Sequence, residues 1–383
     1  LAVTIAGNNK IKEEQAIRFL AREDLDSLIK ALQDAGYRCV GPQVKDGAIV
    51  YDTLVASSQL PRGYRDIQSP GRYQLEQADD PRYFAWANGP QAIKPLTFAS
   101  RESMWRCQRD ADGAISFTPY EPGSGPVAVI GARACDLAAL YIQDQHFLHT
   151  ENKDPYYLAR RQQLFLVAVN CTHAAATCFC ASTGDGPQAK YGYDIALSEL
   201  DEGFIVEGRS DRGLDLMQRL PTSDINAEQV EIAAGLIQQA AQQQRQLPSR
   251  NLKELLFQNL EHERWQTVGE RCLSCGNCTS VCPTCFCHRE DESAALDGSS
   301  SEHFRQWDSC FTQGHSYIHG ITIRADTAKR YRQWLTHKLG SWHDQYGRSG
   351  CVGCGRCISW CPVGIDLTEE VAAIGGEAND GEA

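Results

Sequence analysis

No stretch of this 383-residue chain approaches the roughly 20 consecutive apolar residues that a membrane-spanning helix needs, so no membrane partner is expected. Basic residues are also few: 37 Lys and Arg stand against 49 Asp and Glu, a formal net charge of -12. Nucleic-acid binding needs a basic footprint to neutralise phosphates, and that class of partner is not expected either. Phosphate-cradling loops are missing too. Neither G-x-G-x-x-G nor G-x4-G-K-[ST] occurs, so the chain offers no fingerprint for a dinucleotide or a nucleoside triphosphate. There is no G-x-S-x-G nucleophile elbow. His315 and His319 are four apart, as on one helix face, but no Glu stands between them in a metalloprotease pattern, and core or surface roles are expected. No secretory leader is visible ahead of 17 cysteines, although the first residue is Leu1 rather than Met. Together these point to a reducing, cytoplasmic setting in which thiolates stay available to iron.

Cysteine is what the chain has in excess, and most of it falls into a pattern. Cys272-Leu273-Ser274-Cys275-Gly276-Asn277-Cys278-Thr279-Ser280-Val281-Cys282-Pro283 recurs as Cys351-Val352-Gly353-Cys354-Gly355-Arg356-Cys357-Ile358-Ser359-Trp360-Cys361-Pro362. Both read C-x2-C-x2-C-x3-C-P. In two-cluster ferredoxins, three closely spaced thiolates of such a run hold one [4Fe-4S] cube and the fourth Cys ligates the other cube. One cluster is therefore expected on Cys272, Cys275, Cys278 and Cys361, and a second on Cys351, Cys354, Cys357 and Cys282. Gly276, Gly353 and Gly355 suit the wrapping loops, where positive φ lets backbone N-H groups approach sulfur. Pro283 and Pro362 are expected in the first turn of a following helix. A zinc site favours two separated C-x2-C pairs, and a disulfide framework favours a small secreted domain; the runs fit neither.

A third thiol group lies upstream. Cys171, Cys178 and Cys180 fall within ten residues at the end of an apolar strand, and a βαβ reading brings Cys135 to the same sheet edge. Four thiols from two loops form a candidate third [4Fe-4S] site, against the alternative of inert buried thiols. Cys285, Cys287 and Cys310 have no obvious fourth ligand, although neighbouring His288 could serve, and they are expected instead to be thiols that donate weak S-H bonds to a cluster without ligating it. Cys39 and Cys107 read as core residues.

The fold class expected is an α+β or α/β N-terminal domain followed by an α-helical, ferredoxin-type [4Fe-4S] dicluster domain. Leu25, Leu28, Ile29 and Leu32 recur at helical spacing, with Gly36 as a stop. Arg38 to Leu54 reads as two strands around an Asp46-Gly47 turn, and Phe84 to Leu96 as strands and turns. Pro126 to Ile130 and Leu164 to Val169 are short apolar runs on either side of a helix from Leu137 to Phe147, a βαβ unit with parallel strands. An Ala- and Gln-rich helix from Asn226 to Gln246 ends before Pro248, and another from Asn251 leads to Cys272. These features divide the chain into an α/β domain over 1–220, a helical linker over 221–262, the dicluster domain over 263–370 and a flexible acidic tail over 371–383. Half of the net charge lies beyond Ile365, in six acidic residues without Lys or Arg. The long insert between the two cysteine runs is expected to be helical, with a flexible turn at Asp297 to Ser301.

Taken together, Gly131-Ala132-Arg133-Ala134-Cys135-Asp136, Asn170-Cys171, Cys178-Phe179-Cys180-Ala181-Ser182, Cys282-Pro283-Thr284-Cys285-Phe286-Cys287 and Trp307-Asp308-Ser309-Cys310 resemble the β subunit of cytoplasmic sulfhydrogenases. These are NADP-linked [NiFe] hydrogenases, and the A subunit of anaerobic sulfite reductase is a related family. The resemblance covers most of the chain from about residue 70 onward; Ala134 stands where Pro is usual. It implies a helical ferredoxin domain, an α/β domain holding a third cluster, and a non-catalytic electron-transfer role. The implied partners are a flavin subunit that binds NAD(P)H and [NiFe] hydrogenase subunits, or the sirohaem catalytic subunit of a sulfite reductase.

Overall fold

The computed structural model describes residues 17–376 except 88, 92 and 124. Its strands, in chain order, are β1 (Ile17–Ala21), β2 (Arg38–Lys45), β3 (Ala48–Thr53), β4 (Tyr64–Ser69), β5 (Arg72–Gln77), β6 (Arg101–Arg109), β7 (Ile115–Pro119), β8 (Val127–Ala132), β9 (Leu164–Val169), β10 (Ile195–Glu199), β11 (Gly203–Gly208), β12 (His288–Ala294), β13 (Ser300–Trp307), β14 (Tyr317–Ile318) and β15 (Ile321–Thr322).

A seven-stranded sheet in the order β1-β11-β10-β9-β8-β2-β3 forms the centre of the N-terminal region. Strands β2, β8, β9 and β10 run parallel in it. Every residue of β8 and β9 is buried, which is why both read as unbroken apolar runs rather than alternating ones. Successive side chains nonetheless alternate between the two faces. Ala128, Ile130, Phe165 and Val167 join the core under the helix Leu25–Asp34, while Val127, Val129, Leu164 and Leu166 join the core under the helix Ala134–Leu148. Each of the Val, Leu, Ile and Phe side chains among them contributes about 1.5–3 kcal/mol by leaving water. The βαβ expectation holds, and it carries Ala134 and Cys171 to neighbouring strand ends. The β2–β3 hairpin turns at Asp46 and Gly47, both at positive φ.

The insert between the cysteine runs departs from expectation. Its first half forms strands β12 and β13 rather than helices, and β13 pairs with β6 in a second sheet, β12-β13-β6-β7. A sheet therefore joins residues from both sides of the expected domain boundary. The turn expected at Asp297 to Ser301 joins β12 to β13. His315 lies in a 3-10 turn (Gln313–Ser316) and His319 in the β14–β15 turn at positive φ, so they do not share a helix.

The helices Leu252–Gln258, Arg264–Arg271, Thr327–Thr336 and Leu367–Ile374 pack a second core that includes Leu256, Trp265, Val268, Tyr331, Trp334 and Val371. The Ala- and Gln-rich helix stops at Ala240, short of Gln246. Phe84 to Leu96 forms no strand among its described residues, and a short helix begins at Lys94. Pro283 opens no helix, and Pro362 precedes the next one by several residues. Val371 to Ile374, placed in a flexible tail by composition, belong to the last helix. That helix is anchored because Asp366 caps it and pairs with Arg245 at 2.5 Å. Glu370, fully buried, pairs with Arg264 and with Arg271 at 2.7 Å. The rest of the expected tail, residues 377–383, lies outside the described residues.

Candidate metal centres

Each cysteine run is a loop held open by glycine in the left-handed region. Gly276, Gly353 and Gly355 have φ of 73°, 63° and 73°, where a side chain would be strained. The bend turns successive thiols inward. Cys272, Cys275 and Cys278 line one hollow, and Cys361 from the second run lines it too. Phe311, Tyr331, Trp334, Ile365 and Leu367 supply its apolar wall. Cys351, Cys354 and Cys357 line a second hollow, and Cys282 from the first run lines that one. The fourth Cys of each run thus sits with the other run's three. Trp334, Cys357 and Leu367 border both hollows, so one layer of side chains separates them.

The donor chemistry fits iron–sulfur cubes. The walls are apolar apart from the thiols and Lys338, and among the described residues no three His, Cys, Asp or Glu converge as on a single ion. Burial pushes the thiols of Cys272, Cys278, Cys354 and Cys357 up, and that of Cys351 up to about 12. A cation at the centre is what makes such groups thiolates. Backbone N-H groups are already aimed at sulfur: Ser274 donates to Cys272 at 3.5 Å, Gly353 to Cys351 at 3.5 Å and Ile365 to Cys361 at 3.3 Å.

Cys282 differs from the rest. A hydrogen bond from Cys285 holds its thiol well below the usual range against the effect of burial, with the Lys338 ammonium adding to this. Lys338 is 4% exposed, with Nζ 3.5 Å from Cys282 Sγ and donating to Thr284 Oγ at 2.8 Å. Thr284 in turn donates to the Gly350 carbonyl at 2.7 Å. Burial works against the Lys338 charge, but the Cys282, Cys285 and Cys351 sulfurs outweigh it and hold its pKa above the ordinary lysine value. A second buried ammonium, Lys94, donates to the Ser280 and Cys285 carbonyls at 3.1 and 3.3 Å and lies 3.8 Å over the Trp307 ring. Burial lowers its pKa to about 8. Neither lysine was singled out by any motif; both are found only because the fold brings residues 94 and 338 to one loop.

The upstream thiols also gather. Cys171, Cys178 and Cys180 feel one another electrostatically, and Cys135 packs with Cys180 in one apolar cluster that Cys354 borders. Burial raises all four pKa values, that of Cys180 to about 12. Polar donors face them: Arg133 Nη1 lies 3.9 Å from Cys171 Sγ, and Gln243 Nε2 3.2 Å from Cys180 Sγ. This group lies directly against the second hollow's loop. Phe179 N-H donates to the Gly353 carbonyl at 2.8 Å, and a Cβ at Gly353 would meet Cys180 backbone at 2.5 Å. Arg356 of that loop forms a fully buried pair with Asp136 at 2.9 Å, fastening it to the helix that carries Cys135. Cys39 is buried; Cys107 is half-buried on β6, outside the core.

Residues 271–365 match the 4Fe-4S dicluster domain family. The chain is also 27% identical over 314 residues to sulfhydrogenase 2 subunit beta of Pyrococcus furiosus, covering 80% of this chain and 90% of that protein. No solved structure matches. No helix among the described residues is long and apolar enough to cross a membrane.

Proposed function

We propose that this chain is an iron–sulfur electron-transfer subunit of a multi-subunit hydrogenase. In this reading it relays single electrons between an NAD(P)H-linked flavin subunit and a [NiFe] catalytic subunit in the cytoplasm. The observation that carries it is the pair of adjoining hollows, each lined by three thiols of one run and the fourth of the other, with Cys357 lining both. The likeness to a sulfhydrogenase beta subunit over most of the chain supports the hydrogenase assignment.

Two [4Fe-4S] clusters are assigned to Cys272, Cys275, Cys278, Cys361 and to Cys351, Cys354, Cys357, Cys282. A third is assigned to Cys135, Cys171, Cys178 and Cys180. When bound, such clusters supply one-electron steps without bond making. The chain's own residues do the rest. Trp334, Phe311, Tyr331 and Leu367 exclude water, Cys275 is the exposed thiol through which electrons reach the surface, and the contact of the 177–180 loop with Gly353 and Gly355 fixes the third group beside the second. The clusters then form a row, with the second in the middle.

Iron and sulfide analysis under anaerobic conditions tests the cluster count: about 12 Fe per chain is expected, and about 8 would remove the third site. Metal analysis of the complex isolated through this subunit tests the partner. Nickel without sirohaem is the expected result; sirohaem without nickel would move the chain to sulfite reduction.

A further inference from the structure

One constellation lies outside all three thiol groups. Where the β12–β13 ladder ends at His288 and Trp307, the next backbone contact is Asp308 N-H to the Cys287 carbonyl at 2.9 Å. Cys287 and Asp308 are therefore held on adjoining chains. The 3-10 turn Gln313–Ser316 returns His315 to them: its Nδ1-H donates to Asp308 Oδ2 at 3.0 Å, and the ring also hydrogen-bonds Cys287. A carboxylate only accepts, so Nδ1 carries a proton toward Asp308 and Nε2 is left for the sulfur. Asp308 is itself fixed by Ser309 N-H at 2.7 Å and Thr312 Oγ at 2.8 Å. The His315 turn is pinned by Ile323 N-H to the Ser316 carbonyl at 3.1 Å and Arg324 N-H to Ser316 Oγ at 3.0 Å.

Nucleophile, imidazole and orienting carboxylate in this relation are the parts of an activated thiol. Their exposure suits a small reactant: Cys287 is half-buried, and the His315 and Asp308 side chains are 24% and 11% exposed. The Cys287 hydrogen bond, with Asp308 assisting against burial, raises His315 to about 9. The imidazole is thus a proton donor at neutral pH. A second sulfur decides the class of reaction. Cys310, two residues beyond Asp308, lies within electrostatic range of Cys287, and acyl transfer has no use for a neighbouring thiol, whereas disulfide exchange does.

We propose that Cys287, His315 and Asp308 form a thiol-activating triad, with Cys310 as resolving sulfur, that exchanges with small disulfides. The Cys287 thiolate attacks one sulfur of R-S-S-R, the Cys287-S-S-R bond forms, and the departing RS⁻ takes the proton from His315. The Cys310 thiol then loses its proton to solvent as it attacks Cys287 sulfur and expels the second RS⁻, which is protonated from solvent. Two electrons have moved from the protein dithiol to the substrate, leaving a Cys287–Cys310 disulfide and two RSH. An excess of a small thiol reverses both steps. None of these steps requires the clusters.

The test uses the intact complex under anaerobic conditions at pH 7. Iodoacetamide labelling followed by peptide mapping is expected to modify Cys287 at least about tenfold faster than half-buried Cys107. His315→Gln should bring the rate down to that of Cys107, and Asp308→Asn should lower it partway. A stoichiometric small aliphatic disulfide should then release two thiols per chain and give a Cys287–Cys310 bond by mass. In Cys310→Ser, release should stop at one thiol, with R-S retained on Cys287. Labelling of Cys287 no faster than Cys107, or no thiol release, overturns the proposal. Loss of about four iron atoms in Cys287→Ser also overturns it, because that sulfur would then be a cluster ligand. Iron content in the unsubstituted complex reports the cluster assignments separately.

Discussion

Replacing Lys338 by Met should lower the reduction potential of one cluster and leave the others in place. The ammonium is buried 3.5 Å from Cys282 Sγ, and no comparable cation lines the first hollow. Were a cluster held there, charge added on reduction would lie beyond that sulfur, on the order of 6–7 Å from Nζ. With an effective dielectric constant near 20, a unit charge at that range stabilises the added electron by about 2.5 kcal/mol. At 1.4 kcal/mol and 59 mV per tenfold for one electron, this corresponds to about 100 mV. Met keeps the length of the side chain beside the Trp342 ring, over which Nζ lies at 5.0 Å, while removing the charge, and Lys338→Arg should retain most of the potential. EPR-monitored redox titration of the complex distinguishes the centres by their signals. A downward shift near 100 mV in one centre, with the rest moving far less, is the expected result. Equal shifts in all centres, or none beyond about 20 mV in any, would refute the assignment of Lys338 to the Cys282 cluster.

Other consequences of the packing are open to equally direct tests. Cys178→Ala should remove about four iron atoms and one EPR-active centre while sparing two; retention of all centres would reject the third site. Gly353→Ala places a Cβ 2.5 Å from Cys180 backbone at a φ of 63°. It should cost at least about 1–3 kcal/mol in thermal unfolding and lower the iron content, since two thiol groups share that contact. Asp136→Ala leaves Arg356 unpaired at zero exposure and should destabilise by about 3–5 kcal/mol, whereas replacing both partners with apolar residues should cost much less. Asp154 works through acid. Burial would raise its pKa, but Arg305 and the Tyr157 N-H outweigh burial and hold it below the ordinary 3.8. Its contribution is complete above 3.8 and is lost as pH falls through the lowered value, so Asp154→Asn should flatten that part of the stability–pH curve.

The parts of the fold that could be read from the sequence are those whose cause is local. Buried parallel strands such as Leu164–Val169 are apolar throughout, the Asp46-Gly47 turn is a two-residue signal, and the cysteine runs carry their spacing within twelve residues. Strand β12 shows the opposite case. Its sequence, His288-Arg289-Glu290-Asp291-Glu292-Ser293-Ala294, has no apolar alternation, because it is an exposed edge strand whose stability comes from pairing with β13. That pairing depends on β6, nearly two hundred residues away, and no periodicity within the insert reports it. Separation along the chain also hid Lys94 and Lys338, which lie 191 and 56 residues from their partners Cys285 and Cys282. A lysine beside a cysteine run in the chain would have invited attention; these reach Cys285 and Cys282 from other elements. His315 was visible but was paired with the wrong neighbour, since four-residue spacing suggested His319, whereas Trp307-Asp308-Ser309-Cys310 held its partner.

The insert also explains why two cysteine runs that could sit on one short hairpin stand so far apart. Between them the chain supplies Phe311, Tyr331 and Trp334 to the walls of the hollows, Lys338 to Cys282, and Asp308 and His315 to Cys287. The β12–β13 ribbon fastens this material to β6, and Lys94 locks it from the other side through the Ser280 and Cys285 carbonyls. Here a buried cation stands at the middle position of a row of three thiol groups and none lines the exposed end. Positive charge favours the reduced form, so on the proposed cluster assignment Lys338 raises the potential of the Cys282 site above that of the first, while Arg133 acts in the same sense at Cys171. On that assignment the step in potential between the first site and the second is set by a residue outside either cysteine run.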